Sequence, residues 1–299
     1  MRWGVTLAAL GAVAVSSPAS AQSRDVVDIG LTAGLIAVGL IPPLLFDADE
    51  DQRWDHEVFD FDERVRGRYS RGARRVSDAT LIATVAAPVI GLAGRQCFDR
   101  EFGRSMLLYG ETLAASFALT TITKLLVQRP RPFAYSTHPT VQGYAAEAGD
   151  DLVYSFFSGH SSMAFAAAVS GSYLFASSVT GSSAGSRAAR GAGWGLQLTL
   201  ASFTAGLRVR GGAHYPTDVA TGALVGVTVG LAVPLLHPDR RGHRPGPEEW
   251  AGISAGLVAG SLLAAFVPFD SEVGTSGPAM TLAPFPTAGG AGLALGGAF

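Results

Sequence analysis

The sequence is poor in cysteine, in charge and in lysine. Cys97 is the only cysteine among 299 residues, so a disulfide framework and a zinc site built from several cysteines are both excluded. Charged residues make up 15 % of the chain, against roughly 25 % in an average soluble domain, which indicates much buried or lipid-facing surface. The net charge of -2 gives no basis for binding nucleic acid. Only one of the 22 basic residues is a lysine, Lys124, which marks this position for attention.

The N-terminus has the pattern of an export signal. Arg2 precedes the apolar run Val5–Val15, and small residues at Ala19 and Ala21 fit a cleavage site. The pattern predicts a signal peptide over residues 1–21 and a mature chain that begins near Gln22. An uncleaved anchor is the alternative, although the run is short for a membrane span.

Seven apolar segments follow, and most are close to the roughly 20 residues that a membrane span needs. They are rich in alanine, glycine, serine and threonine, as closely packed membrane helices are. We therefore expect an all-α protein, a bundle of about six helices that is embedded in a membrane. A soluble bundle remains the alternative, because buried helices have the same lengths. The segments are Val26–Phe46, Thr80–Cys97, Ser105–Val127, Ser161–Ser178, Trp194–Val209, Val219–Leu236 and the weaker Trp250–Val267.

The chain divides into four regions by composition. After the signal peptide we expect an N-terminal helix and charged loop over residues 22–76, a helical core over 77–238, and an apolar segment with a Gly/Pro-rich tail over 239–299. Within the charged loop, Val58, Phe61 and Val65 have the spacing of a surface helix with one apolar side. In the tail, Met280–Pro284 and Ala291–Phe299 could pair as a β-hairpin.

Three polar clusters interrupt the apolar segments. They are Lys124 with Arg131, the run Ser158-Gly159-His160, and Arg208 with His214 and Asp218. Each lies where an apolar segment begins or ends. In a bundle whose helices alternate in direction, all three clusters fall at the same end, so we expect one shared site.

The residue types of this site suit a tetrahedral oxyanion such as phosphate. Lys124, Arg131 and Arg208 supply three cations, and charges at the edge of apolar helices usually have partners. Ser158 and Gly159 precede an apolar segment, so their backbone N–H groups would face an anion at a helix N-terminus. We expect no cofactor and no metal here, because the histidines and carboxylates share no ligand spacing and the cations would repel a metal ion.

Two histidines complete the predicted site. If a helix begins near Pro216, Asp218 lies in its first turn and can accept a hydrogen bond from one ring nitrogen of His214. That bond would leave the other nitrogen free to attack phosphorus. His160 has no such carboxylate nearby in sequence, which makes it the better donor of a proton to the leaving oxygen.

The three clusters resemble the signature of the type 2 phosphatidic acid phosphatase superfamily. That superfamily also includes bacterial class A acid phosphatases, lipid phosphatases and vanadium haloperoxidases. The resemblance rests on Lys124–Phe133, Ser155–Phe165 and Arg208–Gly222 and covers roughly Ser77 to Leu236. It departs from the family pattern at Phe157, where a proline is usual, and at Leu207, where a serine is usual.

The resemblance implies a metal-independent phosphatase that works through a phosphohistidine. It assigns His214 as the nucleophile, Asp218 as its support and His160 as the general acid. It assigns phosphate binding to five residues, Lys124, Arg131, Ser158, Gly159 and Arg208. The substrate would be a phosphomonoester or pyrophosphate, with a phosphorylated lipid favoured. A soluble periplasmic acid phosphatase, a haloperoxidase and a phosphate-binding membrane protein without activity are the alternatives.

Other polar residues match no motif. We expect four histidines and two arginines at the surface, namely His56, His138, His237, His243, Arg129 and Arg210. Glu111 would either bond between helices or support the phosphate site from behind. We expect the enzyme in a bacterial-type inner membrane with its site facing the periplasm, since Arg240, Arg241 and Arg244 would then lie inside. A cleaved signal peptide followed by a first span would place the site in the cytoplasm instead.

Overall fold

The computed structural model describes residues 21–46, 48, 54, 59–237, 242–268, 281–287 and 290–296. The predicted all-α architecture is confirmed, and a small hairpin follows it. The α-helices are α1 Ala21–Leu40, α2 Pro42–Leu45, α3 Asp60–Glu63, α4 Arg71–Gln96, α5 Arg100–Val127, α6 Pro139–Glu147, α7 Gly159–Ser178, α8 Ala184–Arg210, α9 Pro216–Leu236 and α10 Pro247–Phe266. Short 3-10 helices cover Pro132–Tyr135 and Gly149–Val153, and the antiparallel strands are β1 Thr281–Thr287 and β2 Gly290–Gly296.

Local sequence explains where the long helices begin. Ser70, Asp99, Ser158 and Ser183 each accept a hydrogen bond from a backbone N–H in the first turn of α4, α5, α7 and α8. Such side-chain caps satisfy donors that a helix leaves unpaired at its start. The apolar segments therefore stop and start at defined polar residues, and the predicted site residues lie at several of these boundaries.

Helix α7 is the centre of the bundle. It packs against α4, α5, α8 and α9, and most of its side chains are buried. Its contact with α9 follows three glycines at four-residue spacing, Gly222, Gly226 and Gly230. A Cβ atom at Gly226 would lie 2.3 Å from the carbonyl oxygen of Ser162. Small residues let the two backbones approach this closely, and the close packing places the start of α9 beside the start of α7.

The long helices alternate in direction. Helix α1 runs alongside α5 in the same direction, since Asp25 and Asp28 pair with Arg104 while Gly39 contacts Phe117. We call the end of the bundle where α5 and α8 end and α4, α7 and α9 begin the site end. The opposite end, where α1, α5, α8 and α10 begin and α9 ends, is the far end.

Within the part of the chain that the structure describes, four helices have the length and composition to cross a membrane. They are α1 with α2 (Arg24–Leu45), α4, α9 and α10. Between 11 and 33 % of the most apolar part of each is buried inside the protein, and large apolar side chains such as Ile82, Ile90 and Leu224 are 67–70 % exposed. An apolar outer surface of this kind is compatible with insertion in a lipid bilayer.

The region before α4 differs from the prediction. In place of a surface helix with Phe61 facing inward, the structure has the four-residue helix α3, in which Phe61 is 49 % exposed and Asp62 is fully buried. The reason is electrostatic, because Asp62 meets a buried arginine described below. The predicted hairpin is present with shifted bounds, β1 pairing with β2. Residues 1–20 and most of the acidic stretch 47–51 lie outside the described residues.

Candidate active site

His214 lies in the short loop between α8 and α9. The loop turns tightly because Gly212 has a positive φ of 66° and passes close to the backbone of Arg68, where a Cβ atom would lie 1.7 Å from the carbonyl oxygen. The carbonyl oxygen of Arg208 accepts hydrogen bonds from the N–H groups of Ala213 and His214. Together these contacts place a buried imidazole, 1 % exposed, at the site end.

The ring of His214 is oriented by a backbone carbonyl. Its Nδ1 lies 2.8 Å from the carbonyl oxygen of Ser155 and 3.8 Å from Oδ2 of Asp218. Asp218 instead accepts hydrogen bonds from the hydroxyl of Ser155 at 2.6 Å and from the N–H of Tyr215 at 2.9 Å. The direct bond that the sequence suggested from His214 to Asp218 is therefore replaced by a relay through Ser155. Nδ1–H donates, and Nε2 keeps its lone pair.

The environment of His214 favours the neutral ring. Burial, followed by the charges of Arg131, Arg208 and Lys124, holds the pKa of His214 well below its ordinary value of 6.5. A neutral imidazole with an unprotonated Nε2 is the form that can act as a nucleophile. The three predicted cations, Arg131, Arg208 and Lys124, thus all act on the charge of this ring.

Arg131 retains hydrogen-bonding capacity beside His214. Its Nε and Nη2 donate to the carbonyl oxygen and carboxylate of Asp151, and its Nη1 donates to the carbonyl oxygen of Ala213. A guanidinium has five N–H donors, so one on Nη2 remains, and the second on Nη1 is directed at Nε2 of His214. Nη1 is 3.3 Å from Nε2 of His214. Burial works to raise the pKa of Asp151, but the charge of Arg131 and its hydrogen bond hold that pKa below the ordinary range.

Arg208 and Lys124 complete the cationic side. Arg208 is 5 % exposed, and its Nη1 donates to Ser77 at 3.0 Å and to Asp78 at 3.1 Å. Its Nε is buried and has no partner among the described residues. The Nζ of Lys124 lies 3.9 Å from where a Cβ atom of Gly159 would be. A buried donor without a partner is costly, so the unpaired Nε is suited to an anionic ligand.

The start of α7 contributes Ser158, Gly159 and His160. The Ser158 hydroxyl caps the helix. The backbone N–H of Ser158 donates to the carbonyl oxygen of Asp218 at 3.0 Å. The next N–H groups have no acceptor within the helix. His160 is partly exposed, and its Nε2 is 2.8 Å from Oδ1 of Asp78. The structure thus brings all eight predicted residues to the site end.

A family model described as the PAP2 superfamily matches residues 105–242. This part of the chain is a PAP2-superfamily domain. Members of the superfamily are phosphatases that act on phosphate esters, often those of lipids, and the match implies phosphatase activity for this part of the chain. No curated protein and no solved structure matches the sequence. The PAP2 segment runs from α5 through α9 and contains all eight predicted site residues.

Sequence reasoning missed the arginine behind the PAP2 site. Arg129, expected at the surface, is 4 % exposed and donates to the carboxylates of Asp62 and Asp218, both fully buried. Its guanidinium also lies over the ring of Tyr215, 4.0 Å from the centroid. The only available signal was its position two residues before Arg131. Asp62 gave no signal, because it lies among many charged residues outside the PAP2 segment.

Two further charged residues outside the PAP2 segment reach the site. Asp78, in the first two turns of α4, bridges His160 and Arg208. Arg74, one turn earlier, lies over the rings of Tyr69, Phe133 and Tyr144. Its Nη1 is buried without a partner in the part of the chain that the structure describes. Arg210 is not a free surface charge either, since it donates to the carbonyl oxygens of Ala264 and Val267.

Proposed function

We propose that this PAP2 domain hydrolyses phosphomonoesters or pyrophosphates of a lipid through a phosphohistidine at His214, without a metal ion in the reaction. The observation that carries the proposal is the orientation of His214. Its Nδ1–H donates to the carbonyl oxygen of Ser155, and its Nε2 faces Arg131. An imidazole that is neutral, buried and surrounded by cations is prepared to attack a bound phosphoryl group.

The reaction would proceed in two balanced steps. In the first, the Nε2 lone pair of His214 forms a bond to phosphorus, the bond from phosphorus to the leaving oxygen breaks, and His160 gives that oxygen a proton. In the second, His160 takes a proton from water, the resulting oxygen attacks phosphorus, and the bond to Nε2 breaks. Lys124, Arg131 and Arg208, with the N–H groups at the start of α7, would hold the equatorial oxygens.

Asp78 would position the acid in this scheme. Its carboxylate contacts Nε2 of His160 and Nη1 of Arg208, which links the proton donor to the phosphate-binding side. Burial, followed by the charges of Arg208 and Lys124, lowers the pKa of His160, and a bound phosphate dianion would offset those charges. Protonation of the acid would then accompany binding of the substrate.

A lipid substrate is supported by the outer surface of the bundle. The helices with the length and composition of membrane spans carry exposed apolar residues along their length. The site lies at one end of these helices, at the level where the phosphate group of a lipid would meet the protein. A soluble phosphomonoester would gain nothing from that surface.

We further propose that the site end faces the periplasm. Several site-end arginines are bound within the fold, as Arg74, Arg129 and Arg131 show, so they do not act as free loop charges in setting orientation. Since α1 begins at the far end, a periplasmic site places that beginning in the cytoplasm if α1 spans. Residues 1–21 would then be retained. Mass measurement of the purified chain tests this, because a chain that begins near Gln22 and crosses with α1 contradicts it.

A substrate panel tests the activity. The purified protein should be assayed in detergent against phosphatidate, a polyprenyl pyrophosphate and p-nitrophenyl phosphate. We expect hydrolysis that favours the lipids, persists with a chelator, and is inhibited by vanadate. His214→Ala should lower kcat by roughly 10³-fold or more, whereas the matched control His138→Ala removes an exposed histidine and should retain activity.

The other outcomes separate the alternatives. Full activity of His214→Ala would contradict the mechanism, and phosphate binding without turnover by the unaltered protein would indicate a binding function. Faster hydrolysis of the soluble ester without detergent would favour an acid phosphatase of broad specificity. Halide oxidation by peroxide with added vanadate would indicate a haloperoxidase.

A further inference from the structure

A second cluster of polar residues lies toward the far end of the bundle. It consists of Asp28 on α1, Glu111 on α5 and His237 just after α9, and one ligand atom from each lies within 4.8 Å of the others. Glu111 is thirteen residues before Lys124 on the same helix, which corresponds to about 20 Å at 1.5 Å per residue. The cluster is therefore separate from the phosphate site, and Glu111 does not support that site from behind.

The three side chains are largely buried and lie close together. Asp28 is 7 % and Glu111 4 % exposed, and the side chain of His237 is 14 % exposed, so the prediction of a surface position for His237 was wrong. Oε2 of Glu111 is fully buried and has no hydrogen-bond partner among the described residues. A buried carboxylate oxygen without a partner is expensive, unless a proton or a cation compensates it.

The tautomer of His237 leaves a nitrogen lone pair directed at the same carboxylates. Its Nδ1 lies 2.7 Å from the carbonyl oxygen of Val233, and only an N–H can make that contact. Nε2, the remaining nitrogen, faces Oδ1 of Asp28 at 3.3 Å and Oε2 of Glu111 at 3.7 Å. In the neutral ring, this nitrogen directs a lone pair at two carboxylates. Metal-binding histidines characteristically donate their other N–H to a carbonyl or carboxylate in this way.

The formal charges of the neighbouring groups also favour a bound cation. When all three are ionised, Asp25, Asp28 and Glu111 carry three negative charges, and Arg104, which pairs with both aspartates, carries one positive charge. With His237 neutral, these four groups have a formal charge of -2. Because the carboxylates of Asp28 and Glu111 are buried, a divalent cation would balance the cluster.

Two of the three separations between the ligand atoms are close to those of a tetrahedral metal site. Tetrahedral Zn²⁺ with ligands at about 2.0–2.1 Å has its ligand atoms about 3.3 Å apart. The separations from Nε2 of His237 to the two carboxylate oxygens are 3.3 and 3.7 Å. One nitrogen and two oxygens are ligand types that zinc accepts.

We propose that Asp28, Glu111 and His237 form a divalent transition-metal site, with Zn²⁺ the ion that fits best, and that it fastens α1 to α5 and α9. Only 11 % of the most apolar part of α1 is buried inside the protein, and α1 packs mainly against α5, so a link to the end of α9 would hold it at a second place. Three ligands from three helices leave one coordination position for water. The site is structural and takes no part in phosphoryl transfer.

Metal analysis of the full-length protein tests the proposal. Protein purified in detergent without chelator should retain about one zinc per chain, and the chelator-treated protein should regain thermal stability when Zn²⁺ is added. Co²⁺ in place of Zn²⁺ should give the visible absorption of a tetrahedral site. Glu111→Gln and His237→Gln should each abolish the zinc-dependent rise in Tm. The matched control Asp25→Asn removes a carboxylate that also pairs with Arg104 and should keep it.

These measurements report metal binding directly and do not depend on phosphatase activity. If the cluster holds only a proton, Tm will depend on pH and not on Zn²⁺, and no metal will copurify, which would overturn the proposal. If a variant fails to fold, the Co²⁺ spectrum of the unaltered protein still decides. His214→Ala should bind zinc normally, so failure of the phosphatase mechanism and failure of the metal site are distinguishable.

Discussion

Replacing Arg129 by methionine tests the charged network behind His214. The side chain donates from Nη2 to Asp62 at 2.9 Å and from Nη1 to Thr217 at 2.8 Å and to Asp218. Methionine has a similar length and no charge, so Arg129→Met removes the cation with little change in packing. Two fully buried carboxylates then lose their only arginine contact among the described residues.

The expected loss of stability follows from the hydrogen bonds that each carboxylate retains. Removing one partner of a buried ion pair costs about 3–5 kcal/mol. Asp62 retains Thr217, and Asp218 retains Ser155 and Tyr215, so we expect a loss near the lower limit, about 3 kcal/mol. That is a large share of the roughly 5–15 kcal/mol that stabilises a typical domain. The kcat should fall roughly tenfold, because Asp218 supports the residue that orients His214.

A double-mutant cycle measures the interaction between Arg129 and Asp62. Unfolding in detergent should be measured for Arg129→Met, for Asp62→Asn and for the pair. Since Asp62→Asn removes one of the two uncompensated charges, the double variant should be more stable than the sum of the single effects predicts, by roughly 1–3 kcal/mol. Its kcat should stay low, because Asp218 still lacks its cation. A loss within about 0.5 kcal/mol for Arg129→Met, as for a surface residue, would refute the network.

Three further predictions concern the site. Because the pKa of His214 lies well below 6.5, its ring is still neutral at pH 6.5. The acid limb of the kcat/KM profile, corrected for substrate ionisation, should therefore lie below pH 6.5. An acid limb above that value would contradict the assignment of His214 as the nucleophile. Asp78→Asn should lower kcat roughly tenfold for alkyl phosphates but little for p-nitrophenyl phosphate, whose leaving group needs no proton; equal losses would argue against positioning of His160. Gly212→Ala should destabilise the protein by more than about 1 kcal/mol, since its φ is 66° and a Cβ atom would meet Arg68, whereas Ala at the open Gly94 should not lower Tm.

The sequence alone was sufficient to predict the bundle and to predict which polar clusters meet at one of its ends. The apolar segments correspond to the long helices because length and composition decide which segments leave water. The clusters around Lys124, His160 and His214 lie at helix boundaries, and alternation of helix direction brings those boundaries to one end. These inferences use local pattern and connectivity, which the linear chain carries directly.

The partners of the site residues depended on the tertiary structure. The relay from Asp218 through Ser155 to His214, and the bridge from Asp78 to His160, join segments that are far apart in sequence. A lone aspartate or arginine has the same appearance in sequence whether it lies in solvent or in a buried pair. Arg129 was misjudged for this reason, and Asp62 was not singled out.

The sequence by itself therefore predicted which polar residues gather at one end of the bundle, since that depends on residue type at helix ends. Only the tertiary structure decided how those residues are oriented and balanced, because hydrogen-bond direction and desolvation depend on what packs alongside. Asp28, Glu111 and His237 show the difference most clearly. They share no spacing in the chain, yet three helices bring their ligand atoms together.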